Sequence, residues 1–352
     1  MISKLILEDG TIYHGEAFGS ATSVAGEVVF NTGMVGYPES LTDPSYEGQI
    51  LVLTYPLIGN YGVPSEKREN ARLAMDFESD KMHIAGLVVS ECSKDFSHWE
   101  GQGNLADWLH SSRVPGISNI DTRALTQKIR EKGAMLGKIV VQEKEIEFKD
   151  PNLENLVARV SPDRPVEYSK GGKRVLVIDC GCKFNIIRSL MNRQVSVLAV
   201  PWNWDFSQEN YDGILISNGP GDPKMCDITI ENIRKALAQD NPVFGICLGN
   251  QLLALAAGGD TYKLKYGHHS QNQPCILVGS KRCYITSQNH GYAVDERSLP
   301  AEWEPWFFNA NDGTNEGIRH RTRPFWGVQF HPEAAPGPLD TGHLFDEFIT
   351  QL

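Results

Sequence analysis

Apolar runs of strand length alternate with helix-length segments through the second half of the chain. Four runs rich in Val, Ile and Leu predict strands, at residues 174–179, 195–200, 213–217 and 243–247. The segments 183–192 and 227–239 lie between them and have the length and apolar spacing of helices. Continuous apolar strands alternating with helices predict an α/β fold, in which a mostly parallel sheet is flanked by helices.

The first 150 residues have shorter apolar stretches, most of them of strand type. Asp9-Gly10 separates two alternating runs and predicts a β-hairpin. Further strands are predicted at residues 27–32, 49–55, 84–91 and 138–142. Helices are predicted over residues 66–75, after Ser65 as the cap, and over residues 121–132. This half therefore predicts a β-rich α+β domain, and none of its motifs is catalytic by itself.

The hydrophobic pattern weakens between the two halves. Residues 155–160 could form a helical turn, and the following SPDRPVEYSKGGKR combines proline, glycine and charge as linkers do. We therefore predict an N-terminal domain over residues 1–150, a linker over 151–173 and a second domain over 174–352. The first domain is expected to act as a scaffold and as the contact for a partner.

Composition narrows the class of protein. The 33 basic and 44 acidic residues give a net charge of −11, which argues against a general nucleic-acid binder. No apolar run is long enough to span a membrane, and the alternating N-terminus lacks the core of a signal peptide. Seven cysteines without paired C-x-x-C spacing indicate free thiols in the cytoplasm.

Residue clusters that could suggest a metal site have a simpler interpretation. Cys180 and Cys182 form a C-x-C pair, which alone makes a poor metal site. His268 and His269 are adjacent, so their side chains point apart in a loop, and no third ligand is evident nearby in the sequence. We therefore predict no metal site and interpret both histidines as structural.

The strongest chemical motif is PVFGICLGNQLLALAAGG, residues 242–259. A short apolar strand leads into a glycine-flanked turn at Cys247, and a Leu/Ala-rich helix follows over residues 251–257. This is the layout of a nucleophile elbow with cysteine in place of serine. Unpaired N–H groups at the helix N-terminus favour a thiolate there. The alternative is a buried cysteine that only packs at a tight strand–helix junction.

Two further polar motifs follow predicted strands and favour the catalytic interpretation. SNGPGDP follows the strand that ends at Ser217, and the apolar run 325–330 leads into His331-Pro332-Glu333. Because carboxyl ends of parallel strands share one edge of a sheet, these motifs should converge on Cys247. His331 can serve as general base and then acid, and Glu333 can orient its imidazole.

Acyl transfer also needs donors for a developing oxyanion. The N–H of Leu248, immediately after the cysteine, is the expected first donor. A second could come from the turn Gly219-Pro220-Gly221, where glycine lets the backbone approach a substrate. The sequence thus predicts a thiol-dependent acyl-transfer site.

The motifs taken together resemble those of a known family. GICLGNQ (residues 245–251), SNGPGDP and HPE resemble the class I, or triad, glutamine amidotransferases. LKYGHH (264–269), SQNHGYAV (287–294), SLTDPSY (40–46), LTYPLIGNYG (53–62) and IDTRALT (120–126) narrow the resemblance. With them, nearly the whole chain resembles the small, glutamine-hydrolysing subunits of carbamoyl-phosphate synthetases.

This resemblance implies an activity and a set of site residues. Cys247 would attack the side-chain amide of L-glutamine, ammonia would leave, and water would cleave the glutamyl thioester to glutamate. Cys247, His331 and Glu333 would be catalytic. The residues implied to bind glutamine are Ser45, Gly219, Gly221, Leu248, Gln251, Asn289, Gly291 and Tyr292. Ser45 would reach the substrate from the first domain.

The resemblance also implies a partner. The chain has no G-x-x-x-x-G-K-[ST] loop, and ammonia protonated in water would be useless as a nucleophile. The family pattern is a large subunit that receives the ammonia through an internal channel, in a heterodimer or an oligomer of heterodimers. No cofactor is expected in this chain, whereas ATP, Mg²⁺ and bicarbonate are expected on the large subunit. The carbamoyl phosphate would supply pyrimidine or arginine biosynthesis, or both.

Two positions depart from the family pattern. The family mostly has His where this chain has Asn250, and commonly Phe where it has Tyr292. We expect these changes to alter rate and affinity without removing the reaction. Two alternatives stay open: an amidotransferase that serves another synthetase, such as those for GMP or anthranilate, and a catalytically inactive regulatory subunit suggested by Asn250. The 150-residue first domain with Ser45 argues against the former, and retention of the catalytic residues argues against the latter.

Overall fold

A computed structural model describes residues 2–69 and 73–352. The chain divides into two compact units, Met1–Leu153 and Glu154–Leu352. In the first unit, the described strands are β1 (Ile2–Leu7), β2 (Ile12–Gly19), β3 (Val24–Asn31), β4 (Gln49–Leu53), β5 (Leu57–Ile58), β6 (Val63–Pro64), β7 (Arg68–Glu69), β8 (Leu73–Ala74), β9 (Gly86–Val88), β10 (Glu91–Cys92), β11 (Gly101–Gly103), β12 (Pro115–Ser118) and β13 (Met135–Val141). The helices are α1 (Tyr37–Thr42), α2 (Leu105–Ser111) and α3 (Thr122–Lys132), and Pro44–Tyr46 forms a 3₁₀ turn.

Seven strands of the first unit close into a barrel, in the order β1-β13-β3-β4-β9-β12-β2. The predicted hairpin is confirmed, because β1 and β2 pair antiparallel around Gly10, which has a φ of 85°. The predicted helix at 121–132 is also confirmed as α3, and its cap is the Asp121 side chain, which accepts the N–H of Ala124. The β-rich pattern thus predicted the class of this unit but not the closure of its barrel.

The predicted helix over residues 66–75 is wrong. Arg68 pairs with Ala74 and Glu69 with Leu73 in a small antiparallel ribbon, while residues 70–72 lie outside the described part. The physical reason is the lack of an apolar face. Residues 65–70 are all polar or charged, and the apolar residues of the predicted helix are confined to its second half. A helix without an apolar stripe gains little from packing, and helices of this length are marginal without it.

The second unit is built on one large sheet. Its strands are β14 (Val166–Tyr168), β15 (Arg174–Asp179), β16 (Ser196–Pro201), β17 (Gly213–Ile216), β18 (Val243–Ile246), β19 (Asp260–Leu277), β20 (Cys283–Asp295), β21 (Trp303–Asn309), β22 (Asn315–His320) and β23 (Phe325–Val328). Its helices are α4 (Val157–Val160), α5 (Phe184–Met191), α6 (Asp227–Ala236), α7 (Leu248–Ala257) and α8 (His343–Gln351). The four apolar strands predicted first are confirmed to within one residue at each end.

The sheet has the order β14-β16-β15-β17-β18-β23-β22-β21-β19-β20. Strands β16, β15, β17, β18 and β23 run parallel, as predicted for the centre of the sheet. The remaining strands pair antiparallel and extend the sheet at both ends, with the long pair β19–β20 at one edge. The polar residues of this pair mask its strand pattern in the sequence.

Helices cover both faces of the parallel strands. Val243 of β18 belongs to a core with Leu252 of α7 and Ile233 of α6. The next residue, Phe244, points the other way and contacts Phe345 and Phe348 of α8, with ring centroids 5.9 and 5.7 Å apart. This arrangement is the predicted doubly covered sheet, and it puts the residue that follows β18 at the start of α7.

The segment predicted to be a linker is more ordered than its composition indicates. Residues 154–173 belong to the second unit, where Val157 of α4 is buried and β14 pairs antiparallel with β16. The edge strand tolerates the prolines and charges around it because one of its sides needs no partner strand. No helix among the described residues is long and apolar enough to cross a membrane.

Candidate active site

Cys247 occupies a strained turn between β18 and α7. Its φ of 55° and ψ of −106° are unusual for a residue that is not glycine. A Cβ on Gly245 would lie 2.5 Å from the carbonyl oxygen of Gly249, and one on Gly249 would lie 2.1 Å from that of Ile216. Both glycines are therefore needed for strand and helix to approach so closely, as the elbow interpretation requires.

The sulfur of Cys247 is buried among polar groups. The side chain is 2 % exposed, and its backbone N–H donates to the carbonyl of Val328 on β23 at 2.8 Å. The thiol lies 3.7 Å from the carbonyl oxygen of Asn289, and the Gln329 amide nitrogen lies 3.7 Å from Sγ. These contacts differ from those of a cysteine that only fills an apolar core.

His331 and Glu333 form a buried pair beside this cysteine. Nδ1 of His331 lies 2.6 Å from Oε1 of Glu333. Burial alone would lower the pKa of His331, but the charges of Glu333 and Cys247 raise it to about 10. Nε2 of the imidazole has no hydrogen-bond partner among the described residues, so the effect of Cys247 on it is mainly that of charge. The predicted convergence of Cys247, His331 and Glu333 is present.

A buried lysine, which the sequence reasoning missed, completes this group. Lys183 Nζ lies 3.1 Å from Oε1 of Glu333 and donates to the carbonyl of Ala334 at 2.5 Å. Burial opposes ionisation of Glu333, but Lys183 and then His331 lower its pKa to about 2. Lys183 follows β15 at the same sheet edge as the other motifs. That position is the signal by which it could have been found.

The stabilising effect of His331 and Glu333 should depend on pH. The pKa of His331 is raised from 6.5, so its contribution is complete below pH 6.5 and is lost as pH rises towards 10. The pKa of Glu333 is lowered from 4.5, so its contribution is complete above pH 4.5 and is lost as pH falls towards 2.

We therefore expect wild-type protein and the His331→Gln variant to differ most in free energy of unfolding between pH 4.5 and 6.5. Above this window the difference should shrink by at most about 1.4 kcal/mol per pH unit. Urea unfolding at a series of pH values measures it. A difference that grows from pH 7 to 10 would show that His331 is not held as the cation.

The predicted oxyanion turn lies against the elbow. A Cβ on Gly219 would be 2.2 Å from the carbonyl oxygen of Cys180 and 2.8 Å from Cδ2 of Leu248. Gly221 has a φ of 83°, a left-handed conformation that favours glycine. The structure thus brings Gly219 close to the Leu248 side chain, and the role of their backbone N–H groups as oxyanion donors stays a prediction.

The residues predicted to hold the amino-acid end of glutamine lie on β20. Asn289, Gly291 and Tyr292 are in this strand, and the carbonyl of Asn289 is the one that contacts Cys247. Gln251 on α7 donates from Nε2 to the carbonyl of Tyr292 at 2.8 Å. Of these residues, Asn289 contacts the sulfur, whereas Tyr292 is joined to α7 through Gln251.

Ser45 lies in the first unit, on the 3₁₀ turn Pro44–Tyr46. It is 7 % exposed, and its backbone N–H donates to the side chain of Asp43 at 2.9 Å. Its contact with a substrate held by the second unit stays a prediction.

Asn250, the main departure from the family pattern, is a buried amide. It is 0 % exposed, and neither its Oδ1 nor its Nδ2 hydrogen-bonds to a described residue. A Cβ on Gly327 would lie 2.6 Å from Oδ1, so the amide packs directly against the backbone of β23. An unpaired buried amide costs roughly 1–3 kcal/mol of stability.

Replacing Asn250 by leucine, which has a similar shape, should therefore raise the free energy of unfolding by about 1–2 kcal/mol. Urea unfolding at neutral pH measures the change. The matched control is Asn218→Leu, because Asn218 is equally buried but accepts the N–H of Lys183 at 3.0 Å. That variant should lose stability. A loss in Asn250→Leu as well would mean that the Asn250 amide is satisfied.

His268 and His269 lie on strand β19, not in a loop as predicted. His268 Nδ1 lies 3.1 Å from Glu316 and its Nε2 lies 2.8 Å from Asp312. The sequence did not indicate a third ligand-type group, but ligand atoms of His268, His290 and Glu316 lie within 4.8 Å of one another. His269 Nδ1 lies 2.8 Å from Oδ1 of Asn289.

The bonding of His268 nevertheless argues against a metal. Burial would lower its pKa, but hydrogen bonds to Asp312 and Glu316 raise it to about 9. An imidazole that donates to two carboxylates is protonated on both nitrogens and has no lone pair for a metal. The cluster is better described as a buried ion pair between His268 of β19 and Glu316 of β22.

Comparisons with known proteins agree with this geometry. Residues 176–351 match the family model described as glutamine amidotransferase class-I, and residues 5–139 match that of the carbamoyl-phosphate synthase small chain, CPSase domain. The chain is 52 % identical to "Multifunctional protein pyr1-3" of Dictyostelium discoideum and 51 % identical to "Multifunctional protein CAD" of Squalus acanthias. It is 50 % identical to "Carbamoyl-phosphate synthase (ammonia), mitochondrial" of Aquarana catesbeiana.

Each of these similarities covers 99 % of this chain but only 17 %, 16 % and 24 % of the respective relatives. The chain therefore spans about a sixth to a quarter of the length of these curated proteins. One of them is named for ammonia, so overall similarity does not by itself assign glutamine hydrolysis. A proposal of glutamine hydrolysis must therefore rest on the groups around Cys247.

Proposed function

The chain belongs to the class-I glutamine amidotransferases, and we propose that it hydrolyses the side-chain amide of L-glutamine to glutamate and ammonia. The observation that carries the proposal is a thiol at a strained elbow whose neighbouring imidazole is held protonated by a buried carboxylate. A cysteine beside an imidazolium and at a helix N-terminus is the setting in which thiolates act as nucleophiles.

In the acylation half, the Cys247 thiolate adds to the amide carbon of glutamine. The carbonyl oxygen takes the negative charge, and the backbone donors of Leu248 and Gly219 are suited to stabilise it. His331 then gives its Nε2 proton to the leaving nitrogen as the C–N bond breaks. The products are ammonia, a γ-glutamyl thioester on Cys247 and a neutral imidazole.

In the second half, the same imidazole becomes the base. The charge on Cys247 helps to raise the pKa of His331, and this influence disappears once sulfur is acylated. His331 is already neutral because it has given its proton to the ammonia, and it can take a proton from water as the water attacks the thioester. Breaking the C–S bond releases glutamate and restores the thiolate–imidazolium pair. Glu333 and Lys183 keep the ring oriented throughout.

The ammonia would be used for carbamoyl phosphate synthesis. The first unit matches the small-chain model of carbamoyl-phosphate synthase, and two relatives are multifunctional proteins more than four times longer than this chain. We propose that residues 1–150 contact a large synthetase portion that binds ATP, Mg²⁺ and bicarbonate. If the protein is a heterodimer, as the family resemblance implies, this portion is a separate subunit. If the protein is arranged like its longer relatives, this portion is another part of the same chain.

Carbamoyl phosphate made in this way would enter pyrimidine or arginine biosynthesis. A cytoplasmic location is part of the proposal and is supported by seven cysteines that are all free thiols. The alternative of an inactive regulatory subunit rests on Asn250 and on the relative named for ammonia.

Nitrogen transfer from glutamine tests the proposal. The chain, mixed with a carbamoyl-phosphate synthetase large subunit, ATP and bicarbonate, should convert amide-labelled ¹⁵N-glutamine into labelled carbamoyl phosphate. Glutamate should appear in equal amount. Glutamate without labelled carbamoyl phosphate would support the glutaminase activity and favour another synthetase as the partner. If no glutamate forms, the chain would be an inactive regulatory subunit.

A further inference from the structure

We propose that Gln329 is a further catalytic residue, whose side-chain N–H holds the Cys247 thiolate in position and stabilises its charge. The inference rests on Cys247 being the nucleophile of the proposed function. Gln329 is fully buried, and its Nε2 lies 3.7 Å from Sγ of Cys247. No motif of the sequence assigns a role to this residue.

The orientation of the Gln329 amide follows from a chain of donors. The carbonyl of Tyr292 can only accept, so Gln251 must present its NH₂ group, which donates there at 2.8 Å. The second hydrogen of that NH₂ group goes to Oε1 of Gln329 at 3.1 Å. Gln329 therefore has its oxygen occupied, and its own NH₂ group is directed towards the sulfur.

The backbone around Gln329 holds this arrangement firmly. Its N–H donates to the carbonyl of Glu316 at 2.9 Å, and the N–H of His331, two residues later, donates to Ser287 at the same distance. Gln329 and His331 directly follow β23, which ends at Val328, and both interact with Cys247. Gln329 does so as a neutral donor and His331 as a cation.

Burial makes such a donor effective. A hydrogen bond to a charged group is stronger than one between neutral groups, and a low local dielectric strengthens it further. The contact should therefore favour the thiolate over the thiol. The Gln329 side chain also links the sulfur, through Gln251, to the carbonyl of Tyr292. The amino-acid end of glutamine is proposed to bind beside this carbonyl. Substrate binding and orientation of the thiolate would then depend on the same chain of hydrogen bonds.

The test follows alkylation of Cys247 by iodoacetamide across pH, with peptide mass spectrometry on the full 352-residue chain. Gln329→Met removes the donor and keeps the side-chain length. Gln329→Glu keeps an oxygen that can accept from Gln251 and replaces the donor with a carboxyl group. The exposed Cys283 of the same molecules is the internal control, and the charged groups near the sulfur, His331, Glu333 and Lys183, are unchanged in both variants.

We expect the pH midpoint of Cys247 alkylation to rise by about one to two units in Gln329→Met, which corresponds to loss of one charge-assisted hydrogen bond. Gln329→Glu should shift it at least as far, and the profile of Cys283 should stay fixed. A Cys247 midpoint that is unchanged in either folded variant would overturn the proposal and leave Gln329 a packing residue. Because alkylation needs no glutamine turnover, this result is independent of whether the chain proves to be a glutaminase.

Discussion

Replacing Cys247 by serine should lower glutamine hydrolysis by at least about 10³-fold, because loss of a catalytic nucleophile removes the acyl intermediate altogether. Serine fits the elbow, so the fold and the partner contact should persist. In the assembled synthetase, synthesis of carbamoyl phosphate from added ammonia should therefore continue at close to the wild-type rate. Paired assays with glutamine and with ammonium chloride as nitrogen donors measure the two activities.

The matched control is Cys283→Ser, which changes an exposed thiol and should leave both activities intact. Glutamine-dependent activity that survives in Cys247→Ser would exclude Cys247 as the nucleophile. Loss of the ammonia-dependent activity as well would instead indicate that the substitution disturbs the contact with the synthetase.

The second large effect is expected at Lys183. Replacing it by methionine keeps the length of the side chain but leaves the fully buried Glu333 without its lysine counter-ion. Removing one member of a buried ion pair typically costs about 3–5 kcal/mol, and the lower part of this range applies because His331 remains beside Glu333. We expect a loss of this size in the free energy of unfolding at pH 7, measured by urea denaturation, together with slower glutamine hydrolysis.

The double variant Lys183→Met/Glu333→Gln separates the ion pair from simple packing. Because it removes both charges, it should regain most of the lost stability while remaining inactive. Lys224→Met is the control, since the Lys224–Asp260 pair is exposed and such pairs contribute about 1 kcal/mol or less. Equal destabilisation of the Lys183 single and double variants would contradict a charge-based role for Lys183.

Local patterns were sufficient for the parallel strands and for the elbow. The run at 174–179 contains buried Val and Ile between a glycine-rich segment and a helix, and it forms a strand with the predicted bounds. At Cys247, the two flanking glycines indicated a close strand–helix approach that the backbone contacts show directly. Such features depend on neighbours in the sequence, so they can be inferred from a few residues.

Long-range contacts account for what was missed. Lys183 precedes Glu333 by 150 residues, and no pattern in the chain indicates that they pair. Asn309 and Glu316 similarly belong to a buried polar network that packs against β19. The many polar residues of β19 hide its strand character in the sequence. The helix predicted over residues 66–75 was wrong for the opposite reason. Its residues have local helix propensity, but they form no apolar face that could pack against the rest of the protein.

The central claim is that Cys247 is the acylated nucleophile of a glutamine amidotransferase site. A chloromethyl-ketone analogue of L-glutamine, followed by intact-protein and peptide mass spectrometry, tests it most directly. We expect one adduct per chain, located on Cys247, formed more slowly when L-glutamine is present and absent from the Cys247→Ser variant. An adduct found mainly on Cys283, or labelling that L-glutamine does not slow, would contradict the account.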